Sequence, residues 1–207
     1  MPQFPLVISF YTKNTLYQLE VQNLIASCEK FGVKADIDGI DSFGSWELNC
    51  AYKPFFIYQK LQEYKKPLIW LDADAVFAQK PSIIPAFEAD FSLRINHELP
   101  ADHPSKVNSG TLYINYTKPA ILLLQAWIGQ TKKHLLTKQP GVEFWDQISL
   151  RDALQDQQQT AKIAPLPLAY AKIFDHKQDL LDAPNPVIEH YQASRRLKSL
   201  ITNKLDL

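Results

Sequence analysis

Short apolar runs alternate along the chain with segments of helical periodicity, and this alternation limits the possible folds more than any other feature. The apolar, β-branched run at residues 6–11 predicts a β-strand. A helix ending at Gly32 is predicted by apolar residues on one face, at Tyr17, Val21, Leu24, Ile25 and Cys28. A second strand at residues 33–37 completes a βαβ unit. We therefore expect an α/β fold with a mainly parallel central sheet flanked by helices.

The remaining sequence continues the pattern and then becomes less regular. Helices are predicted at residues 54–64, from Thr117 onward, and at residues 143–154. Strands or short extended pieces are predicted at residues 67–71, 91–95, 111–115, 165–170 and 187–191. At 207 residues we expect one domain over 1–207, in which the part from 116 to 207 closes over the part from 1 to 115.

The balance of charge excludes one large class of function. Lys plus Arg and Asp plus Glu number 22 each, so the formal net charge is zero and no nucleic-acid partner is expected. No apolar run approaches the ~20 residues that span a bilayer, and no secretory signal is recognisable, so we expect a cytoplasmic protein. Cys28 and Cys50 lack metal or redox spacing; we expect reduced thiols, with Cys50 in a polar connection.

The sharpest local signal is a pair of carboxylates at the end of a buried strand. Asp72 and Asp74 directly follow the apolar run at residues 68–71. In open α/β sheets ligands bind at the carboxyl ends of strands, and carboxylates there suit a hard divalent cation. A second pair, Asp36 and Asp38, lacks a long buried run before it; there we expect Asp38 to meet a nucleotide base or ribose.

Several stretches in order carry a resemblance to a known family. They are residues 8–12 (ISFYT), 45–57 (SWELNCAYKPFFI), the Asp-x-Asp of Asp72 and Asp74, 107–114 (VNSGTLYI), and 188–195 (IEHYQASR). Together they resemble the GT-A type nucleotide-diphospho-sugar transferases, over about residues 5 to 196. The resemblance implies a GT-A fold, with nucleotide-sugar binding in the half at 1–115 and acceptor binding in the part at 116–207.

The resemblance also implies roles for individual residues. Metal ligands would be Asp72, Asp74 and His190, and an imidazole ligand favours Mn²⁺ over Mg²⁺. The expected contacts with the nucleotide and its phosphates are Tyr11, Thr12, Asp38, Lys53, Asn108, Ser109, Gly110, Ser194 and Arg195 or Arg196. Asp146 and Gln147 correspond to an Asp-Gln pair near the donor sugar. The implied reaction transfers a hexose from a nucleotide-diphosphate sugar, for which UDP is the expected nucleotide. The acceptor would be a glycan, a lipid-linked molecule or a small molecule, and the Asp-Gln pair favours retention of configuration.

Two other functions remain open on the sequence alone. Asp72 also resembles the nucleophile of haloacid-dehalogenase phosphatases, although the chain has no Gly-Asp or Asp-Asp dipeptide for their later motif. A non-catalytic nucleotide-sugar or glycan-binding protein would carry the same residues. The basic segment at residues 195–204 is typical of a solvated tail; the alternative is a basic amphipathic helix that contacts the inner membrane face, where lipid-linked acceptors lie.

Overall fold

A computed structural model describes residues 4–139, 141–156, 160–195 and 197. Its helices are α1 (Tyr17–Phe31), α2 (Trp46–Ala51), α3 (Lys53–Tyr64), α4 (Lys118–Thr137), α5 (Asp146–Asp156) and α6 (Lys177–Asp182), with 3₁₀ turns at Pro85–Glu88 and Leu168–Tyr170. Its strands are β1 (Leu6–Thr12), β2 (Ala35–Ile40), β3 (Leu68–Leu71), β4 (Ala75–Phe77), β5 (Phe91–Ile95), β6 (Val107–Ile114), β7 (Ile163–Pro165), β8 (Lys172–Ile173) and β9 (Ile188–His190).

Six strands form the central sheet, in the order β2-β1-β3-β6-β5-β7. Strand β1 runs parallel to both β2 and β3, and β5 runs parallel to β7. Strand β6 lies between β3 and β5 and is antiparallel to both. The expected α/β class with a mainly parallel sheet is confirmed. The ends of β1, β3 and β5 and the beginning of β6 consequently share one edge of the sheet.

A second, three-stranded sheet stands beside the first, in the order β4-β9-β8. Strand β4 pairs antiparallel with β9, and β9 pairs parallel with β8. In the pairing of β4 with β9, Ala75 is opposite His190. This small sheet therefore brings the C-terminal part of the described chain next to the turn that follows β3.

Helix α1 shows why the periodic segments folded as predicted. Its buried face includes Val21, Leu24 and Cys28, which lie on the predicted stripe. Gly32 ends the helix in the left-handed conformation at φ 65°, where a side chain would be strained. Burial raises the pKa of the Cys28 thiol to about 12, as expected for a small buried hydrophobe and not for a reactive thiolate.

Apolar residues fill both faces of the central sheet. One cluster packs β1, β3, β5 and β6 against α3, α4 and α5, with Trp70 and Trp127 fully buried at its centre. The other packs the opposite face against α1, β4 and β9. The indole of Trp127 donates to the backbone oxygen of Asp146, 3.2 Å away. The core thereby fixes the first residue of α5 relative to the sheet.

Several short elements differ from the sequence expectations. Cys50, expected in a polar connection, lies on α2, whose N-cap Ser45 accepts from the backbone nitrogen of Leu48. The helix expected over residues 143–154 begins later, at Asp146. Strands β4 and β8 and helix α6 were not predicted. Each is six residues or shorter, too short for a periodic pattern, so tertiary pairing determines it.

The structure describes only part of the segment for which membrane contact was considered. Among the helices of the described ranges, none combines the length and the apolar character that crossing a membrane requires. Of the basic segment at residues 195–204, only 195 and 197 belong to the described residues. Arg196, named above as a phosphate contact, lies outside them.

Candidate functional site

One large cavity opens at the edge of the sheet where β1, β3 and β5 end and β6 begins. Its volume is about 890 Å³. Most of the predicted site residues line it, namely Tyr11, Thr12, Lys53, Asp72, Asp74, Asn108, Ser109, Gly110, Asp146, Gln147, Ser194 and Arg195. Residues far apart in the sequence thus meet at the edge where open α/β sheets bind ligands.

Three potential metal ligands converge at this edge. One ligand atom from each of Asp72, Asp74 and His190 can be chosen so that all lie within 4.8 Å of one another. The closest approach of the imidazole is 3.8 Å, from His190 Nδ1 to Asp74 Oδ1. Two carboxylates and one imidazole suit a divalent transition-metal ion. The donor set therefore fits the ion that the sequence resemblance implies.

The three ligands are held together by the small sheet. Asp74 lies just before β4 and His190 is the last residue of β9, so their pairing carries the imidazole to the carboxylates. The backbone nitrogen of Tyr191 donates to the carbonyl oxygen of Asp74 at 3.1 Å. That of Ala193 donates to Asp74 Oδ2 at 2.7 Å. The segment after β9 therefore fixes the orientation of the Asp74 carboxylate.

His190 is oriented from its other side by β6. Its side chain is 2% exposed, and Nε2 lies 2.7 Å from Thr111 Oγ1. A Cβ added to Gly110 would stand 3.0 Å from His190 Cε1 and 3.1 Å from Nδ1. Only a residue without a side chain leaves room for the ring. A hydrogen bond at Nε2 directs Nδ1 toward the carboxylates, as ligating histidines are commonly arranged.

Lys53 occupies the floor of the cavity and contacts acidic groups. Its ammonium lies 2.6 Å from Asp146 Oδ2, 2.8 Å from Asp72 Oδ1 and 3.2 Å from Ser109 Oγ. An ammonium has three protons, and these partners take all three. The structure places it as a bridge between α5 and the turn after β3, and the phosphate contact expected from the sequence stays a prediction. The bridge itself was not predicted, because its partners come from distant parts of the chain.

Burial and mutual charge shift the titration of these groups. Removal from water raises the pKa of Asp72, and the nearby Asp74 and Asp146 carboxylates add to this effect, against the opposing charge of Lys53. Burial also acts on Asp74, but the neighbouring His190 imidazole and the hydrogen bond from the backbone nitrogen of Ala193 outweigh it and lower the pKa. Burial disfavours the charge of Lys53, yet Asp146 and Asp72 raise its pKa above the usual value. The site is thus a negatively charged centre with one buried cation.

The side of the cavity for which the sequence predicted nucleotide contacts is formed by β1 and β6. Tyr11 and Thr12 end β1, and the Tyr11 ring lies so close to Gly39 of β2 that a Cβ there would be 2.8 Å from the hydroxyl. Asn108 Oδ1 accepts from the backbone nitrogen of Gly110 at 2.8 Å, which shapes the start of β6. Asp38 does not line the cavity; it lies 2.9 Å from the ammonium of Lys60.

The remaining predicted residues lie on two sides of the opening. Gln147 Nε2 donates to the carbonyl oxygen of Pro104 at 3.0 Å and so joins α5 to the loop between β5 and β6. Arg195 contacts Asp175 Oδ2 at 2.6 Å. Ser194 lines the cavity beside it.

Other lining residues were not predicted from the sequence. Arg94 and Asn96 at the end of β5 and His176 before α6 contribute to the wall. Tyr17 and Trp46 form a pair, in which the indole donates to the Tyr17 hydroxyl at 3.1 Å and burial raises the pKa of that hydroxyl. Trp46 lies within the stretch at residues 45–57 that carries the family resemblance; the others lie outside the motifs identified in the sequence. For Arg94, a charged residue within an otherwise buried strand was the one available signal.

Comparison with known proteins assigns the chain to a family. The sequence profile of nucleotide-diphospho-sugar transferases matches residues 54–198. The chain belongs to this family. Membership removes the main reason for the phosphatase alternative, since the Asp-x-Asp, the Asn-Ser-Gly and the terminal His all lie within the matched range. No curated protein matches the chain in sequence.

Solved glycosyltransferase structures share the fold. One is a glycosyltransferase involved in the glycosylation of the major capsid of PBCV-1, with TM-score 0.64 and 11% identity over 95% of this chain and 99% of that one. Another is the glycosyltransferase GlyE of Streptococcus pneumoniae TIGR4, with TM-score 0.57 and 16% identity over 98% of this chain. This chain spans 60% of the length of GlyE. At these identities the likeness concerns the fold. The chain is thus a nucleotide-diphospho-sugar transferase by family, and it shares its fold with solved glycosyltransferases.

Proposed function

We propose that the protein transfers a hexose from UDP to an acceptor hydroxyl, with retention of configuration, and that it requires Mn²⁺. The observation that carries the proposal is the convergence of Asp72, Asp74 and His190 within 4.8 Å at the cavity edge. Family membership supplies the nucleotide-sugar donor. The imidazole in the ligand set supports Mn²⁺ over Mg²⁺.

In the proposed reaction the bond between the anomeric carbon and the diphosphate oxygen breaks. The electron pair leaves with the nucleoside diphosphate, the acceptor oxygen bonds to the anomeric carbon, and the acceptor proton passes to the departing diphosphate oxygen. A divalent ion bound at the three ligands would neutralise the negative charge that develops on the diphosphate. Asp72, Asp74 and His190 would hold that ion, and the backbone contacts to Asp74 keep the carboxylate in place.

Asp146 is proposed to position the donor sugar. Its Oδ2 is held by Lys53 at 2.6 Å and by Ser109 Oγ at 2.7 Å. This fixes the carboxylate and leaves Oδ1 for a sugar hydroxyl. Tyr11, Thr12 and Asn108 line the side proposed for the nucleoside, and Ser194 and Arg195 the side proposed for its phosphates.

The charges around the cavity support retention. An inverting transferase needs a base beside the acceptor, most simply a carboxylate. Among the described residues that line the cavity, the carboxylates are Asp72, Asp74 and Asp146. Two are metal ligands in this proposal, and the third is paired with Lys53. Product analysis by NMR, which distinguishes the anomers, tests this part directly.

The first experiment measures thermal stability with UDP, GDP, CDP or TDP, each with and without Mn²⁺. A ligand at about 100 times its dissociation constant adds about 2.7 kcal/mol to the stability of the native state. We expect a rise in Tm for UDP that requires Mn²⁺. A protein that responds to no nucleotide would contradict the proposal. Binding of UDP–Mn²⁺ without turnover of any UDP-hexose would favour the non-catalytic alternative.

Asp74→Asn tests the metal site with little change of shape. The amide oxygen can still accept from Ala193, while the charge that would bind the cation is lost. We expect the Mn²⁺-dependent part of UDP binding to disappear in calorimetry and the fold to persist. The matched control is Asp156→Asn on α5, where an exposed carboxylate contacts only Gln130 among the described residues. If UDP binding depended equally on Mn²⁺ in both variants, the proposed metal site would be wrong.

A further inference from the structure

His176 lines the cavity but has no part in the donor chemistry proposed above. It directly precedes α6, and its side chain is 49% exposed. Its Nδ1 lies 2.7 Å from Asp179 Oδ1, one helical turn away. The ring is therefore held at one nitrogen and open to the cavity on the rest of its surface.

Asp179 is a buried, fully engaged carboxylate. Its side chain is 1% exposed and contacts Arg94 through both oxygens, at 2.5 and 2.8 Å. The backbone nitrogen of Ile173 donates to Oδ2 at 2.8 Å. A carboxylate paired in this way is ionised and only accepts hydrogen bonds, so His176 must donate from Nδ1. In the neutral imidazole, Nε2 then carries a lone pair, and within the described part of the chain it makes no hydrogen bond.

The cavity that His176 lines has, among its described residues, the chemistry of a sugar-binding surface. Arg94 links His176, through Asp179, to the end of β5, where Asn96 begins the loop that Gln147 holds through Pro104. The side chains of Asn96 and Gln147 line the same cavity, as does Trp145, which is 37% exposed. Neutral amides, an imidazole and an aromatic ring can bind the hydroxyls and the apolar face of a pyranose. The guanidinium of Arg94 is neutralised by Asp179, so these described residues offer no unpaired charge to an anionic acceptor.

We propose that the acceptor is a neutral hexopyranoside and that His176 binds one of its hydroxyls through Nε2. Asp179 is the positioning residue that fixes the tautomer and the ring orientation. This inference rests on the proposed function, because it concerns the second substrate of the same cavity.

The test compares two substitutions at His176. His176→Asn places an amide nitrogen where Nδ1 was, so it retains the contact with Asp179 and loses the group at Nε2. His176→Gln places an amide oxygen or nitrogen near the Nε2 position. The control is His134→Asn, because His134 also pairs with an aspartate, Asp152, but does not line the cavity.

Each variant is assayed for UDP–Mn²⁺ binding by calorimetry and for transfer from UDP-glucose or UDP-galactose to a panel of methyl α- and β-hexopyranosides. One net hydrogen bond corresponds to a change of about five- to tenfold in KM. We expect His176→Asn to raise the glycoside KM by this factor, His176→Gln to raise it less, and His134→Asn to leave it unchanged. The dissociation constant of UDP–Mn²⁺ should be the same in all four proteins.

Failures of the two proposals are distinguishable. A wild-type protein that does not bind UDP–Mn²⁺ contradicts the proposed function itself. A wild-type protein that binds UDP–Mn²⁺ and hydrolyses UDP-glucose or UDP-galactose, but transfers the sugar to none of the methyl hexopyranosides, overturns the acceptor inference alone. The same conclusion follows if the glycoside KM of His176→Asn equals that of the wild type, or if His176→Gln is affected as strongly as His176→Asn.

Discussion

The absence of a side chain at residue 110 determines where the imidazole of His190 can lie. Any Cβ there would stand 3.0 Å from His190 Cε1 and 3.0 Å from Asn108 Oδ1. The first contact is with a residue of the candidate metal site, and the second is with the turn that begins β6. The absence of one methyl group therefore allows the start of β6 and the imidazole of His190 to pack closely together.

Gly110→Ala should weaken Mn²⁺-dependent UDP binding more than it weakens the fold. Crowding by one methyl group costs about 1–3 kcal/mol, and the His190 ring must move to relieve it. Calorimetry with UDP and Mn²⁺, together with the Tm, checks this expectation. Gly129→Ala in α4 is the control, because a Cβ there meets nothing within 4 Å; alanine should stabilise that helix by about 0.5–1 kcal/mol. Unaltered binding in Gly110→Ala would show that the ring tolerates displacement.

Asp179 gives a pH-dependent contribution to stability. Burial acts to raise its pKa, but the bonds from Arg94, Ile173 and His176 outweigh it, and the pKa lies below its usual value. The stabilisation is therefore present above the unfolded value of about 3.9 and is lost as the pH falls through the lower folded pKa. Asp179→Asn leaves Arg94 without its anionic partner and should cost about 3–5 kcal/mol at pH 7.

Urea denaturation of the wild type and Asp179→Asn across pH 7 to 3 measures this difference. The gap between the two proteins should narrow as the pH falls below about 4. Asp182→Asn, an exposed position on the same helix that bonds Gln178, should follow the wild type throughout. A gap that stays constant with pH would mean that Asp179 is not ionised in the folded protein.

For single residues, the sequence predicted which side chains meet at the site better than it predicted the contacts that support them. Asp72, Asp74 and His190 stand in recognisable local contexts, and the structure brings them together. Lys53 was assigned to phosphate because a helix start favours an anion nearby, whereas its partners Asp146 and Ser109 come from distant elements. His176 was not predicted, because nothing local marks a residue whose importance depends on a buried partner; Arg94 carried only the signal of a charge within an otherwise buried strand.

Helix α5 packs against the core and also holds the loop between β5 and β6. Gln147, Arg151 and Gln155 lie one turn apart on the same helix face and donate to the carbonyl oxygens of Pro104, Asp102 and Ala101. The loop between β5 and β6 is thereby fastened to the helix along its length. Asn96, Leu99 and Ser105 of this loop line the cavity.

Removing one fastening should loosen the loop without destabilising the protein. Gln155→Ala removes an exposed bond, so we expect a loss of less than about 1 kcal/mol in global stability. Amide hydrogen exchange in residues 96–106 should become faster, because local opening no longer breaks that bond. Gln130→Ala, which removes a bond between α4 and α5, is the control. Equal exchange in both variants would indicate that the loop is held by other contacts.

The long elements were predictable and the short ones were not, for a physical reason. α1 and α3 carry enough turns for an apolar stripe to appear in the sequence, and β5 was predicted at its observed bounds. β4 has three residues, so no alternation can be recognised there, whereas β9 was predicted only as part of an extended piece at residues 187–191. The existence of β4 depends on pairing between segments more than a hundred residues apart.

Across the whole molecule, the small sheet ties the C-terminal part of the described chain to the first half. β9 buries Ile188 completely and supplies His190 to ligands that follow β3. The prediction of one domain over 1–207 stays a prediction. In the fold, the pairing of β9 with β4 brings His190 to Asp72 and Asp74.

Loading with Mn²⁺ should therefore stabilise β9 more than the distant core. A metal bound to Asp72, Asp74 and His190 resists separation of β9 from β4, whereas it adds nothing to local opening at the exposed end of α4. Hydrogen exchange with Mn²⁺ against exchange with EDTA checks this. Slower exchange of the β4 and β9 amides is expected, with residues 130–137 as the internal reference. Uniform slowing, or none, would contradict the coupling.

The pairing of Ala75 with His190 also has a consequence during synthesis of the chain. A ribosome makes Asp72 and Asp74 early, but the third ligand is added only 116 residues after Asp74. Until β9 has emerged and paired with β4, the nascent chain has the two carboxylates but no imidazole beside them. The full ligand set is thus a property that only a nearly finished chain can acquire, and fragments that stop before residue 190 are expected to be inert.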